Sequence, residues 1–189
     1  MSAARGIVLY GPPAAGKDTV TAALAKLDRY YAQFTRLKVG SGKTDGYRMG
    51  TPQQLEELEA VGDVLYRNER YGNVYVIDRP GVRAAFEAGV PVVHLGQVAG
   101  IEALVNCYPA DWLTVQLWCP ELVTKERSQD RGDSDTAKRL AVWEETQADL
   151  AAHSSFEFDL VLRTDVTQPP QAAQLIRQAL ARRTAGAQG

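Results

Sequence analysis

The chain has 189 residues, 45% of them apolar and 23% charged, which is the make-up of one soluble folded domain and excludes a disordered, collagen-like or dedicated coiled-coil chain. Its 21 Lys+Arg nearly balance 23 Asp+Glu, so no global basic field exists to hold a nucleic-acid backbone. Cys107 and Cys119 form neither a metal-ligand cluster nor a disulfide framework, and their usage fits a reducing compartment. The apolar run at 6–10 is too short for a signal peptide. The most apolar stretch, 88–105, is interrupted by His94, Gln97 and Glu102 before it reaches spanning length. A cytoplasmic protein with no membrane or nucleic-acid partner is expected.

Taken in chain order, 7–10 reads as a buried strand and 19–27 as a helix with Val20, Ala23, Leu24 and Leu27 on one face. Residues 30–39 read as a second strand, and 40–50, rich in Gly, Ser and Asp, as a loop. Thr51-Pro52-Gln53-Gln54 predicts a helix start, with Thr as N-cap and Pro at the first helical position. Two short strands are expected around Gly72-Asn73 within 63–77, then a helix at 80–88. The near-continuous apolar run 90–95 has the pattern of a strand inside a parallel sheet. Further helices are predicted at 98–105, 120–127, 137–152 and 171–181, with strands at 112–118 and 158–162. This alternation argues for a three-layer α/β fold with a mostly parallel central sheet. The core is expected to comprise 1–38, 78–126 and 140–183. Residues 39–77 break the alternation and read as an inserted subdomain.

Gly11-Pro12-Pro13-Ala14-Ala15-Gly16-Lys17-Asp18-Thr19 sits between the first strand and the first helix. The glycines let the backbone curl with its N–H groups inward, the helix adds its positive end, and Lys17 reaches the phosphates. The strand before it and the helix after it point to a bound nucleotide triphosphate rather than an ordinary turn. Asp18 replaces the hydroxyl expected next to the lysine. Two readings stand: it binds Mg²⁺ through water, with Thr19 on phosphate, or it is a helix N-terminal acid with no metal role. Gly40-Ser41-Gly42-Lys43-Thr44 imitates the end of a second phosphate loop, but Leu37 stands where the opening Gly belongs. Arg127 and Arg131 lie one helical turn apart and Arg139 follows a short polar connector. Arginines on a lid at about 127–139 would stabilise charge on a transferred phosphoryl group. The alternative is a solvated face paired with Glu126, Asp130, Asp133 and Asp135.

On these residues the chain resembles the guanylate kinases among the nucleoside monophosphate kinases. Asp45-Gly46-Tyr47 resembles that family's acceptor loop, and Thr51 through Leu58 the helix after it. Tyr71-Gly72-Asn73-Val74-Tyr75 resembles its Gly-Asn-Tyr-Tyr-Gly segment, and 88–95 its helix-to-strand step. Arg127 to Gly132 with Lys138-Arg139 resembles the lid, and Arg163-Thr164-Asp165 falls at its turn near the donor adenine. The resemblance implies a P-loop kinase core, a lid and an acceptor-binding subdomain. It also implies transfer of the ATP γ-phosphate to an acceptor phosphate with Mg²⁺, by a monomer or homodimer.

The departures fall in the acceptor site. Of the family's two phosphate-binding arginines only Arg36 survives, with Lys38 and Lys43 as substitutes. Tyr66 aligns with the base-reading Glu, and His94-Leu95-Gly96-Gln97 stands where an Asp-x-Asp is usual. Tyr75 remains for the acceptor phosphate. A carboxylate accepts from guanine N1–H and N2–H₂, and a tyrosine cannot supply that pattern. Tyr66, His94 and Gln97 are therefore candidates for contacts to a different base or sugar, each equally readable as a packing residue. A nucleoside monophosphate or related small phosphorylated acceptor is expected. Alternatives are a sugar phosphate kinase of the ribose 1,5-bisphosphate type and a non-catalytic binding module.

Overall fold

The computed structural model describes residues 4–70, 72–130 and 136–186, with side chains through Arg183. Tyr71, and with it one residue of the Gly-Asn segment, lies outside the described residues, as do Arg131 and the connector to 135. The elements run β1 (Arg5–Tyr10), α1 (Lys17–Leu27), β2 (Tyr31–Gln33), β3 (Arg36–Val39), β4 (Tyr47–Gly50), α2 (Pro52–Ala60), β5 (Val64–Arg70) and β6 (Asn73–Asp78). They continue with α3 (Arg79–Ala88), β7 (Val90–Leu95), α4 (Val98–Cys107), β8 (Asp111–Trp118), α5 (Glu121–Asp130), α6 (Thr136–Ala152), β9 (Leu160–Arg163) and α7 (Pro169–Gly186).

The central sheet has the order β2-β7-β1-β8-β9, and every pairing in it is parallel. Strand β1 is central and buried on both faces, which is why its sequence reads as an uninterrupted apolar run. Ile7 and Leu9 join a core with Val20 and Leu24 of α1 and Ile176 and Leu180 of α7. Val8 and Tyr10 join the opposite core with Val82 of α3 and Ile101 and Leu104 of α4, against which Leu150 of α6 packs. The α/β expectation is met, with three layers and a parallel sheet at the centre.

A second sheet of order β4-β3-β6-β5 covers residues 36–78. It has its own small core of Leu37, Val39, Leu55 and Val76, under α2. Thr51 caps α2 as the sequence predicts, its hydroxyl accepting from the Gln54 N–H at 3.1 Å. Leu65 and Ile77 of this sheet belong to the core around α3 and α4, which fastens the two sheets together.

Two sequence expectations are corrected. Residues 30–39 are not one strand. They divide at Phe34-Thr35 into β2, paired with β7, and β3, paired with β6 in the other sheet. The chain turns because Phe34 is buried in the core while its N–H donates to the Val92 carbonyl at 2.9 Å. The loop expected over 40–50 ends early, since 47–50 form β4 beside β3. Four residues without apolar alternation carry no strand signal of their own, and a tertiary partner decides their state.

Asp149 of α6 ties the layers to each other. Its Oδ2 accepts from the buried Tyr10 hydroxyl at 2.9 Å and from the Val98 N–H at 2.8 Å. The second bond caps α4, whose own N-cap residue, Gln97, makes no side-chain cap bond. Burial first, and the bond to Asp149 next, push the Tyr10 phenol well above its ordinary pKa, so it stays a donor. Asp149→Ala leaves the buried Val98 N–H unmatched and Tyr10 with only its longer bond to the Thr146 carbonyl at 3.3 Å. It should cost about 3 kcal/mol and lower the melting temperature by about 6–12 °C, read by calorimetry. A shift under 2 °C would show that this carboxylate is not a structural tie.

Candidate functional site

Strand β1 delivers the chain to Gly11, and the turn to α1 is shaped by tight approaches. A Cβ on Gly11 would lie 2.3 Å from the Leu117 carbonyl oxygen. Gly16, the N-cap of α1, has φ 92° and no side chain to cap the helix, so the first-turn N–H groups are left to an external anion. Ala14, a non-glycine residue, is also left-handed at φ 59°, a conformation costing about 1–2 kcal/mol. Lys17 folds back over the loop and donates to the carbonyls of Gly11 at 2.5 Å and Pro12 at 2.8 Å. Burial depresses its pKa to about 8; Asp18 opposes that shift, and the nearby Arg36 charge adds to it.

Two clefts open on either side of this loop. The smaller, about 280 Å³, is lined by Ala14, Gly16 and Thr19 of the loop and α1, by Arg127, and by Thr164, Asp165 and Gln168 ahead of α7. Arg127 is a strut in this arrangement. Its guanidinium donates to the Ala14 carbonyl at 2.9 Å and to the Thr164 hydroxyl and carbonyl at 3.2 and 2.5 Å. Arg163 lies outside the cleft, stacked 5.3 Å from the Trp118 ring and paired with Asp165 at 2.6 Å. That pairing holds the Asp165 carboxyl below its ordinary range. Arg139, near the start of α6, lines neither cleft.

The larger cavity, about 550 Å³, lies between the two sheets and is closed on one side by α6. It brings together Gly11, Pro13, Lys17, Arg36, Tyr66, Tyr75, His94 and Gln97 from the sequence candidates. Pro12 and Ala15 complete the loop's turn, with the Ala15 N–H on the Pro12 carbonyl at 3.3 Å. Sequence reasoning missed Asn68, Glu145 and Asp149, and did not place Tyr47 in the site. Tyr47 and Tyr75 form a tilted ring pair 5.3 Å apart. The Arg36 guanidinium lies 5.6 Å from the Tyr75 ring and donates to Asn68 Oδ1 at 3.3 Å. Glu145 and Asp149 come from a helix some eighty residues further along the chain, so no local spacing could have announced them.

Lys38 and Lys43 do not join Arg36 in the cavity lining. Lys38 is buried, and its ammonium donates to the carbonyls of Ser41 and Lys43, both at 2.7 Å. The glycine-rich stretch that imitates a phosphate loop therefore curls around a cation of its own chain, carbonyls inward. Lys43 is exposed. Lys38 also sits 5.5 Å from the Tyr47 ring and 5.8 Å from the Tyr75 ring, behind the pair that faces the cavity.

His94 is wedged beside the phosphate loop. Thr21 donates its hydroxyl to the Lys17 carbonyl at 2.9 Å, so His94 Nε2, 2.8 Å from Thr21 Oγ1, donates the ring proton to that hydroxyl oxygen. Its Nδ1 faces Gln33 Nε2 at 3.4 Å and Asp18 Oδ1 at 3.5 Å. Burial, reinforced by the Lys17 charge, lowers the His94 pKa to about 4, so the ring is neutral at pH 7. Asp18 itself is 79% exposed at the start of α1.

A family model described as chloramphenicol phosphotransferase-like protein matches residues 4–181. A guanylate kinase of Chromobacterium violaceum is 27% identical over 134 residues, 68% of this chain and 63% of the relative, so the match spans less than two thirds of that protein. Among solved structures, a guanylate kinase from Anaplasma phagocytophilum superposes with a TM-score of 0.64 at 15% identity, over 97% of this chain and 88% of that one. A gluconokinase from Sinorhizobium meliloti 1021 superposes with a TM-score of 0.54 at 18% identity, over 98% and 97%. At these identities the two structures bear on the fold alone. None of the helices among the described residues is long and apolar enough to cross a membrane.

The electrostatics of Lys17 set a pH dependence. In the ligand-free protein Lys17 is charged below about pH 8 and loses its proton above it. A triphosphate favours the charged form, so binding takes up a proton only above that pH. ATP affinity should hold level from pH 7 to 8 and then fall roughly tenfold per pH unit, read by titration calorimetry. Lys17→Met should bind weakly at every pH. A wild-type affinity that stays level to pH 10 would show that the triphosphate does not meet this charge.

Proposed function

The chain belongs to the chloramphenicol phosphotransferase-like family, and from that membership and the geometry of the site we propose that it transfers the γ-phosphate of ATP to a phosphate of a small phosphorylated acceptor. A nucleoside monophosphate or a related compound is the acceptor class. The observation that carries this reading is the meeting of Lys17 and Arg36 in one cavity at the mouth of the phosphate loop. The two cations repel each other in a desolvated site, and a pair of phosphate groups relieves both.

The triphosphate lies along the loop with its oxygens on the first-turn N–H groups of α1 and on Lys17. The cleft lined by Arg127, Thr164, Asp165 and Gln168 is open to the nucleoside end. Arg127 positions the loop by holding the Ala14 carbonyl against Thr164, so its contribution is to nucleotide affinity. On the other side, Arg36 with Tyr47 and Tyr75 holds the acceptor phosphate. An acceptor oxygen attacks the γ-phosphorus, the bond from that phosphorus to the bridging oxygen breaks, and ADP leaves with the electron pair. A phosphate dianion needs no base to attack, so a neutral His94 is no obstacle.

Mg²⁺ belongs to the proposal. Magnesium keeps several waters and takes one or two carboxylates plus substrate phosphates. An exposed Asp18 directly after Lys17, with Thr19 beside it, fits that donor set. Bound there, the ion would neutralise charge between the β- and γ-phosphates.

The test is ADP release from Mg²⁺-ATP with GMP, dGMP, AMP, CMP, UMP, dTMP and ribose 1,5-bisphosphate. At least one acceptor should be turned over, and Lys17→Ala should lose about 100-fold or more. A wild-type rate no faster than Lys17→Ala with every acceptor would sink the reading. Asp18→Asn should raise the Mg²⁺ concentration for half-maximal rate, and an unmoved titration would remove Asp18 from the metal site.

A further inference from the structure

Two acceptors face each other beside the phosphate loop. His94 stands near the end of β7 and Asp18 in the first turn of α1, and Asp18 Oδ1 lies 3.5 Å from His94 Nδ1. The ring proton is on Nε2, donated to Thr21 Oγ1 at 2.8 Å, so Nδ1 turns a lone pair toward a carboxylate oxygen. Two such atoms repel unless a proton or a cation comes between them. Gln33 Nε2 reaches Nδ1 only at 3.4 Å, longer than an ordinary hydrogen bond. The Lys17 ammonium is turned to the Gly11 and Pro12 carbonyls instead.

The separation suits two ligands of one ion. Donors about 2.1 Å from a metal stand about 3.0 Å apart at a right angle and about 3.4 Å apart at a tetrahedral one. A small turn of the exposed Asp18 side chain brings the pair into that range. The imidazole is also held as a metal ligand needs to be. A ligating histidine donates its other N–H to a fixed partner, which sets the tautomer and the ring's direction. Thr21 is such a partner: it is buried, and its own hydroxyl donates to the Lys17 carbonyl at 2.9 Å. His94 lines the large cavity with Gly11, Pro13 and Lys17, so phosphates on the loop share the space this pair faces. One imidazole nitrogen, one carboxylate and phosphate oxygens make a mixed donor set. Mg²⁺ takes oxygens and gives up water reluctantly, whereas transition-metal ions accept imidazole as well.

We propose that Asp18 and His94 together hold the metal ion of the bound triphosphate, and that the imidazole gives this site a preference for a transition-metal ion such as Mn²⁺ over Mg²⁺. This rests on the phosphotransfer reading for the bound triphosphate alone, not for the transfer step. His94→Gln keeps an amide N–H for Thr21 and removes Nδ1. Asp18→Asn keeps the side chain's shape and removes its charge.

The experiment is electron spin-echo modulation of Mn²⁺ bound to the full chain with ATP and no acceptor, using natural and ¹⁵N-labelled histidine. Adenine nitrogens do not respond to that label. Titration of the ATP-bound chain with Mn²⁺ and with Mg²⁺ gives the affinity ratio, and the melting temperature of each variant reports folding. Wild type should show a nitrogen coupling that changes with the label and vanishes in His94→Gln. The chain has two histidines, so the coupling should survive in His153→Gln. His94→Gln should lower the Mn²⁺-over-Mg²⁺ ratio about tenfold, and Asp18→Asn should weaken both ions by about tenfold or more. A wild-type spectrum blind to the label overturns the proposal, as does a coupling kept in His94→Gln or a ratio unmoved in that folded variant. If His94→Gln does not fold, His153→Gln decides, and loss of the coupling there overturns the proposal. Failure of Mn²⁺ to bind with ATP overturns it together with the triphosphate reading. A histidine coupling without ADP release to any acceptor overturns the transfer and leaves the metal site standing; ADP release without the coupling does the reverse.

Discussion

Lys17 and Arg36 face one largely desolvated cavity, and among the described residues no carboxylate is hydrogen-bonded to either. Carbonyl and amide oxygens are their hydrogen-bond partners there, and dipoles offset only part of the cost of drying a charge. The rest of the site is arranged around that imbalance. The first turn of α1 points bare N–H groups the same way, and Asn68 and Tyr75 steady the guanidinium. Such a cavity is electrostatically incomplete until polyanions enter it. Its donors converge from both sheets, so more than one phosphate-bearing group completes it.

The two sheets make this possible because the second has a small core of its own while its Leu65 and Ile77 anchor it in the core of the first. The central sheet holds the phosphate loop rigidly, with Gly11 pressed against the Leu117 carbonyl. The second sheet, with its own apolar centre, carries Arg36, Tyr47, Tyr66 and Tyr75. Polar ties join it to the helices around the central sheet, Tyr66 to Gln97 and Arg70 to Glu145, while Arg48 and Asp78 pair within the second sheet, Asp78 also capping α3 through the Gly81 N–H. Polar ties are directional and sensitive to what binds beside them.

The turn from β1 into α1 was legible in the sequence because its physics is local. Nine consecutive residues between a strand and a helix specify the turn, its glycines and its lysine. The lining of the larger cavity was legible only in part. Arg36 lines it, while Lys38, two residues on and grouped with it in the sequence reading, does not. The difference is tertiary: the glycine-rich loop after β3 folds back over Lys38 and takes its ammonium on two carbonyls, while Arg36 stays uncovered. Arg127 was read as a lid residue and is placed as a strut, since its partners Ala14 and Thr164 lie 113 and 37 residues away. The role of Asp149 rests on packing between α6, β1 and α4, which periodicity does not encode. The division of 30–39 between two sheets has the same cause. Both segments look alike as sequence, and burial of Phe34 decides where one ends.

Lys38, Arg127 and Asp149 share a feature: each is a charged side chain with at least one partner on the backbone, a carbonyl or an N–H. A sequence shows which side chains carry charge but not which carbonyls will be left over when helices and loops close. The leftover groups of this fold decide the outcome. The Ser41 and Lys43 carbonyls claim Lys38, the Ala14 and Thr164 carbonyls claim Arg127, and the uncapped Val98 N–H claims Asp149. Facing the cavity, Lys17 rests on two loop carbonyls and Arg36 on the Asn68 side chain. The chemistry of the site is set as much by these internal claims as by the residues that line it.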